Sequence, residues 1–370
     1  MLKRLYAHNF RCLENFEFKP GDHSSALLIG KNGSGKSTLK AVLGVGQAIG
    51  RGVNRVGQLV QPADFTLGRS MVPMRFEFEV QLHDRLFSYV LALELPDRFR
   101  ELRVLEEQLT VDGLVLFSRE HALVKVRRDS AEQADAQFNI DWHLIALPVI
   151  QDPAASGALG EIRAWLAEMV LLAPIPKLIS GDAASETLEP DENAVNLADW
   201  LSGLLDRFPS AYSTLVQHLQ QVMPDLADFR FERTGKETKS LLVRFSSGKD
   251  QQELPFSKLS DGEKCFFLCA IVLASNRCYG PLFTFWDEPD NYLSIGEVSQ
   301  FVLSLRRGFQ EEGQIVMTSH NVEAIRRFSD DSTWVLGRRS HLEPTVIRQL
   351  QEMASTPDLI QRLIDGDLDP

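Results

Sequence analysis

Residues 25–38 read Ser25-Ala26-Leu27-Leu28-Ile29-Gly30-Lys31-Asn32-Gly33-Ser34-Gly35-Lys36-Ser37-Thr38. The apolar run through Ile29 suits a buried strand, the glycine-rich part a turn, and the residues from Lys36 a helix. Gly30 to Ser37 fits the P-loop pattern, in which glycines let consecutive backbone N–H groups wrap phosphates at a helix start. Asn32, Gly33, Ser34 and Gly35 form the cradle. Lys36 is spaced to reach the β- and γ-phosphates of a nucleotide, the Ser37 hydroxyl to ligate Mg²⁺, and Thr38 to support the α-phosphate side. A glycine turn that matches by accident is the plainer alternative, and the flanking strand and helix argue against it.

Working outward, Phe283-Thr284-Phe285-Trp286-Asp287-Glu288 is an apolar strand that ends in two carboxylates, the Walker B arrangement. Adjacent acids rarely end a buried strand without a role. Asp287 suits the Mg²⁺ shell, and Glu288 suits the group that orients or deprotonates the water attacking the γ-phosphate. A strand that simply meets solvent is the bland reading, weakened by the P-loop, since ligands sit at the carboxyl ends of such strands.

Between the two lies Leu259-Ser260-Asp261-Gly262-Glu263-Lys264, followed by the helical CFFLCAIVLAS. Taken alone, Ser260 or Asp261 could cap that helix with Glu263 in its first turn. The stretch resembles the LSxGE signature of ABC ATPases, and both readings can hold. The resemblance implies that Ser260, Gly262 and Glu263 present a helix N-terminus to the γ-phosphate held by a second protomer. Pro289 to Ser294 resembles the D-loop of that family, with Ser294 in place of the usual Asp. Thr318-Ser319-His320-Asn321 follows the apolar strand QIVMTS, where the family places its switch histidine, so His320 is the candidate γ-phosphate sensor. The glutamine loop is less legible; Gln151, after ALPVI, is the candidate.

The opening LYAHNFRCLENFEF, ahead of the P-loop, resembles the "NFR" start of the SMC, RecF and overcoming-lysogenization ATPases. In that group the residue matching Arg11 can contact bound nucleotide. PIP at 174–176, NLADWLS and PSAYSTLVQHLQQVMPD resemble compact prokaryotic AAA-type ABC ATPases found with phage-defence or toxin modules.

The fold class expected is therefore α/β: an ABC-type P-loop NTPase with a mixed β-sheet core, an antiparallel β subdomain and an inserted helical subdomain. Residues 1–70 make the N-terminal half of the core. Residues 71–128, alternating apolar and polar from Met71 to Val126, make the antiparallel part. Residues 129–225 make the helical insertion, with helical spacing in IRAWLAEMVLLA, LADWLSGLLDRF and AYSTLVQHLQQVM around the acidic SGDAASETLEPDENA, which reads as a mobile loop. Residues 226–370 complete the core, opening on the strands FRFER and SLLVRFSS. About 220 residues separate Ser37 from Leu259, without the heptads of a coiled-coil arm.

A chain of 370 residues exceeds the usual single-domain size. Its formal net charge of −12 argues against coating nucleic acid over the whole surface. The pairs Arg127/Arg128, Arg326/Arg327 and Arg338/Arg339 leave local contact with DNA or RNA open. Cys12, Cys265, Cys269 and Cys278 lack zinc-ligand spacing, and the 265/269 pair suits a buried helix face. No signal peptide or membrane-length apolar run is legible, so a cytoplasmic protein without a membrane partner is expected.

The expected activity is Mg²⁺-dependent ATP hydrolysis by a dimer that sandwiches ATP between P-loop and signature, with room for higher assembly. With no nuclease domain legible after the histidine strand, the chain reads as the ATPase or sensor of an anti-phage or toxin-type system that controls a separate effector, a nuclease or toxin. A RecF-like DNA-repair ATPase is the alternative. A transporter subunit fits the β-rich insertion poorly, and a non-catalytic scaffold fits the full set Lys36, Asp287, Glu288 and His320 poorly.

Overall fold

The structure, a computed structural model, describes residues 1–127, 136–151 and 157–353. In chain order, Leu2–His8 (β1), Phe16–Phe18 (β2) and Ser25–Ile29 (β3) lead into helices Lys36–Gly50 (α1) and Val56–Leu59 (α2). Six strands follow: Met74–Leu82 (β4), Arg85–Glu94 (β5), Arg103–Val111 (β6), Leu114–Glu120 (β7), Leu123–Val126 (β8) and Ala136–Asn139 (β9). Next come Ala158–Ala167 (α3), Val170–Leu172 (β10), Asp182–Ala183 (β11), Leu197–Arg207 (α4) and Ala211–Val222 (α5). Strands Leu226–Arg233 (β12), Lys239–Ser247 (β13) and Asp250–Pro255 (β14) precede helix Asp261–Tyr279 (α6). The remainder is Phe283–Trp286 (β15), Ile295–Gly308 (α7), Gln314–Thr318 (β16), Val322–Ile325 (α8), Thr333–Gly337 (β17) and Val346–Gln349 (β18). Two compact units share these elements, one formed by Met1–His23, Leu28–Met169 and Asp330–Pro370, the other by Ser24–Leu27 and Val170–Ser329.

The first unit is built on an antiparallel sheet of order β2-β1-β4-β5-β6-β7-β8-β9. Strand β4, MRFEFEVQL, shows why: Met74, Phe76, Phe78 and Val80 are buried and alternate with less buried polar residues, the period of a pleated strand. Helix α1 is seated on this sheet through a gap at Gly46, where a Cβ would lie 3.0 Å from the Phe78 ring and 3.2 Å from Leu166 of α3. Strand β18 closes antiparallel on β17, Trp334 opposite Gln349. The Trp334 indole meets the Phe18 ring edge-on at 5.3 Å.

In the second unit β10, β15 and β16 are parallel neighbours, and β15 and β16 are buried at every position. Helix α6 runs beneath other elements with every residue from Lys264 to Asn276 buried, so it is apolar all round rather than on one stripe. Cys265 and Cys269 lie inside it as free thiols, and burial pushes Cys265 up to about 12. A small sheet, β11-β13-β12 with β14 on β13, packs through Phe229 onto Phe267 of α6, and Phe256, in the turn just after β14, meets the same ring. Among the described residues no helix is long and apolar enough to cross a membrane.

Two expectations are corrected, and one strand is new. The helix read through IRAWLAEMVLLA stops at Ala167, and Val170–Leu172 is a strand, because three consecutive apolar residues fit between buried neighbours beside β15. The acidic stretch 180–194 is tied down by hydrogen bonds. Ala184 and Ser185 N–H both donate to Asp199 Oδ1, and Glu192 and Asn193 carbonyls accept from Ala173 and Ile175. Strand β14, DQQELP, carries no apolar alternation and was illegible; backbone pairing with β13 alone makes it a strand. Arg128 lies outside the described residues.

Candidate functional site

In the first unit, Gly30 follows β3, and a Cβ there would sit 2.2 Å from the Leu336 carbonyl oxygen, so only glycine fits. Gly33 has φ +80° and open space around it. Gly35, with φ +106°, is the N-cap of α1, and no side chain caps that end and no acid occupies its first turn. The start of this 15-residue helix, with the positive end of its dipole and no acid in its first turn, suits an anion.

Two residues absent from the motif pin this loop. Buried Thr345 donates its hydroxyl to the Ser34 carbonyl at 2.9 Å, and its N–H to the Cys12 carbonyl at 2.8 Å. Cys12 Sγ lies 3.4 Å from Thr38 Oγ1. No local signal could have found Thr345, which lies 311 residues from Ser34. Lys36 is buried, and its Nζ donates to the carbonyls of Gly30 at 2.6 Å and Lys31 at 3.2 Å. The loop's own backbone therefore holds the ammonium. Ser34 is buried and its Oγ has no partner among the described residues, while Asn32, Gly33 and Ser37 are exposed. Such a cradle of glycines, amides and one ammonium fits a polyphosphate. Arg11, also at positive φ (+52°), is held on Asp64: Nε donates to Asp64 Oδ1 at 2.8 Å, and the guanidinium lies over the Phe10 ring at 5.0 Å.

In the second unit, Asp287 and Glu288 leave β15 side by side. The Asp287 N–H continues the ladder to the Leu172 carbonyl at 2.7 Å. Glu288 has φ +49°, a left-handed conformation that is strained for a residue with a side chain. His320 Nε2 is 3.2 Å from Glu288 Oε1, and Asn291 Nδ2 donates to Glu288 Oε2 at 2.5 Å. The end of β16 grips this turn: Thr318 Oγ1 donates to Asp287 Oδ1 at 2.7 Å and accepts from the Glu288 N–H at 2.8 Å. Ser319 Oγ donates to Asp290 Oδ2 at 2.8 Å. Asp290 is buried, and desolvation pushes its carboxyl above the usual range in spite of the Ser319 bond. Thr318, Ser319, Asp290 and Asn291 were all in view within their motifs, yet the linear pattern assigned them no work.

Ser260 caps α6: its hydroxyl accepts from the Glu263 N–H at 3.3 Å, and Glu263 Oε2 accepts from the Ser260 N–H at 2.7 Å. Ser294 does the same for α7 with Glu297, which gives a local reason for serine at the end of the D-loop stretch. A Cβ on Gly262 would lie 3.1 Å from the Tyr292 carbonyl oxygen, so signature and D-loop meet closely. Ser260, Gly262, Glu263, Tyr292 and Ser294 line one cavity of about 760 Å³. Gln151 is exposed at the end of a described segment.

Residues 25–326 match the family described as "AAA domain, putative AbiEii toxin, Type IV TA system". No curated protein matches significantly. Among solved structures, an SMC head bound to the C-terminal winged-helix domain of ScpA is similar at TM-score 0.56 and 15% identity, over 95% of this chain and 99% of that one. A Pyrococcus furiosus SMC head with extended coiled coil, bound to the C-terminal domain of ScpA, is similar at TM-score 0.51 and 13% identity, over 97% and 99%. The fold is thus that of the SMC head, an ABC-type P-loop ATPase fold.

Proposed function

The chain belongs to the family of AAA domains described with the AbiEii toxin, and from that membership we propose that it is a Mg²⁺-dependent ATPase acting as a nucleotide-gated dimeric switch. The observation that carries the reading is Glu288, held in a left-handed turn with one carboxylate oxygen 3.2 Å from His320 and the other bonded to Asn291. A strained acid fixed at both oxygens beside an imidazole is suited to orienting a water nucleophile.

In this reading the α1 amides and Lys36 bind the β- and γ-phosphates, with Asn32, Gly33, Ser34 and Gly35 as cradle and Thr38 and Arg11 at its margin. Ser37 and Asp287 are the groups that would hold Mg²⁺, which would supply positive charge to neutralise the charge developing on the phosphates. Glu288 orients and deprotonates the water, and His320 senses the γ-phosphate. Ser260, Gly262 and Glu263 serve the γ-phosphate of a second copy, so closure of the dimer and hydrolysis are coupled and turnover by the isolated chain is slow. The family description, which names a toxin–antitoxin system, favours a role as the ATPase or sensor component of an anti-phage or toxin-type system, acting in the cytoplasm on a separate nuclease or toxin.

The test is the mass of Glu288→Gln protein by light scattering with and without Mg·ATP, with duplex DNA in a parallel run. Dimers, or multiples of dimers, that form only with Mg·ATP are expected. A nucleotide-bound monomer overturns the shared site, and a DNA-dependent shift in mass moves the reading to a DNA-repair ATPase.

A further inference from the structure

Thr318 is the last residue of β16, fully buried, and its single hydroxyl meets both acids of the neighbouring turn. The parallel register explains why. Trp286 of β15 is opposite Met317 of β16, so the next residues along, Asp287 and Thr318, come side by side where the ladder ends. There the Thr318 proton goes to Asp287 Oδ1 at 2.7 Å, and its lone pair takes the Glu288 N–H at 2.8 Å. A β-branched side chain in a strand has few χ1 choices, which makes this hydroxyl a rigid post rather than a mobile contact. Its effect on Glu288 runs through the backbone: capturing that N–H holds the residue at φ +49°, the conformation in which Oε1 reaches His320. Its effect on Asp287 is direct, fixing one carboxylate oxygen and so the direction in which the other is presented.

We propose that Thr318 is a positioning residue that sets the metal-side carboxylate Asp287 and the water-orienting Glu288 together through one hydroxyl. The proposal rests on the ATPase reading above. Outer-shell hydrogen bonds to metal-ligating carboxylates carry about 10–100-fold in metal affinity or activity, and here one group serves two acids. The neighbouring Ser319, on Asp290, ties down the rest of the same turn.

The test compares Thr318→Val, which keeps the shape and deletes the hydroxyl, with Thr318→Ser, which keeps the hydroxyl. Two quantities are read in the full chain: the Mg²⁺ concentration that half-saturates the Mg²⁺-dependent binding of a fluorescent ATP analogue, and kcat with KM for ATP at saturating Mg²⁺. Thr318→Val is expected to raise the Mg²⁺ requirement and lower kcat, each about tenfold or more, with KM unchanged. Thr318→Ser is expected to stay within about threefold of wild type, the scatter ordinary for a retained bond. Should Thr318→Val lower the thermal midpoint steeply, Thr318→Ala is read at a temperature where it is folded, and the same Mg²⁺ shift is expected. Equal losses in the Ser and Val variants, or a Val variant with wild-type Mg²⁺ dependence and kcat, overturn the proposal while the ATPase reading stands. A wild-type chain that binds no nucleotide overturns both.

Discussion

Glu107 and Arg119 lie 3.6 Å apart in the first unit, and neither side chain is exposed. Around them the partners are chiefly backbone. Glu107 accepts the N–H groups of Ala146 at 2.7 Å and Leu147 at 2.8 Å and the Tyr89 hydroxyl at 3.0 Å, and Arg119 donates to the carbonyls of Asp141, His121 and Leu144. The pair therefore fastens the segment 141–147 onto β6 and β7. Burial pushes the Glu107 carboxyl up and the Arg119 guanidinium down, so desolvation outweighs attraction in both. Glu107→Ala leaves the buried Arg119 guanidinium without its counter-charge and the Ala146 and Leu147 amides and the Tyr89 hydroxyl without their acceptor, and its expected cost is about 3–5 kcal/mol in urea unfolding. A loss under about 1 kcal/mol, the size of an exposed pair, means the site is wetter than its burial indicates.

Gly35→Ala should weaken nucleotide binding through the backbone. A Cβ at φ +106° would meet Thr345 Oγ1 at 2.7 Å and Cys12 Sγ at 3.2 Å. Left-handed strain alone costs a non-glycine residue about 1–2 kcal/mol, so at least a tenfold loss of affinity for a fluorescent ATP analogue is expected. Gly44→Ala in the same helix is the control: nothing lies within 4 Å of its Cβ. Helix propensity gains about 1 kcal/mol there, with affinity unchanged. Equal effects of the two substitutions would remove the P-loop conformation as the cause.

The contrast between these glycines and Thr345 shows where sequence reading stops. Gly30, Gly35, Lys36, Asp287, Glu288 and His320 sit in short runs whose chemistry is written locally, and the strand–loop–helix around the P-loop follows from apolar run, glycine and helix former in order. Strand β4 was legible because its apolar residues alternate, and β5 because its apolar run, Tyr89 to Leu93, is bounded by turn residues. Thr345, and the carboxylate of Asp199 that fixes Ala184 and Ser185, act across gaps in the chain that no periodicity encodes. Val170–Leu172 looked helical because three apolar residues satisfy either period until a neighbouring strand is present to pair with them. The two capping boxes were half visible: Ser260 with Glu263 was read from spacing, whereas Ser294 with Glu297 was hidden by the expectation of an aspartate at that position.

His218 on α5 predicts a dependence on pH. Burial and the nearby Arg277 charge lower its affinity for a proton below the ordinary histidine value of 6.5. In the unfolded chain that constraint is absent, so on acidification the unfolded state takes up the proton first. The stability tied to neutral His218 is then present above 6.5 and is lost as pH falls below it. Urea midpoints measured from pH 7.5 down to pH 5 should decline for wild type and decline less steeply for His218→Gln. Parallel curves for the two proteins would assign the acid sensitivity to other groups.

Lys264, the residue after the signature glutamate, is best read as an anchor for helix α6. It is buried, and its Nζ donates to the carbonyls of Pro176 and Ile179, each at 3.0 Å. The ammonium thus closes the turn that follows β10 onto the first turn of α6, one residue beyond the Ser260–Glu263 capping box. Lys264→Met has nearly the same length and keeps the apolar stem, but it leaves two carbonyls without a donor, at about 1–3 kcal/mol for each that stays buried. The expected outcome is a lower urea midpoint, with faster amide exchange in residues 177–181 and in the first turn of α6. Affinity for nucleotide at the P-loop of the same chain should stay at the wild-type value, since Lys36 and the α1 amides are untouched. A variant with wild-type stability and weakened nucleotide binding would instead make Lys264 part of the nucleotide site. That outcome would require its ammonium to leave both carbonyls when nucleotide binds.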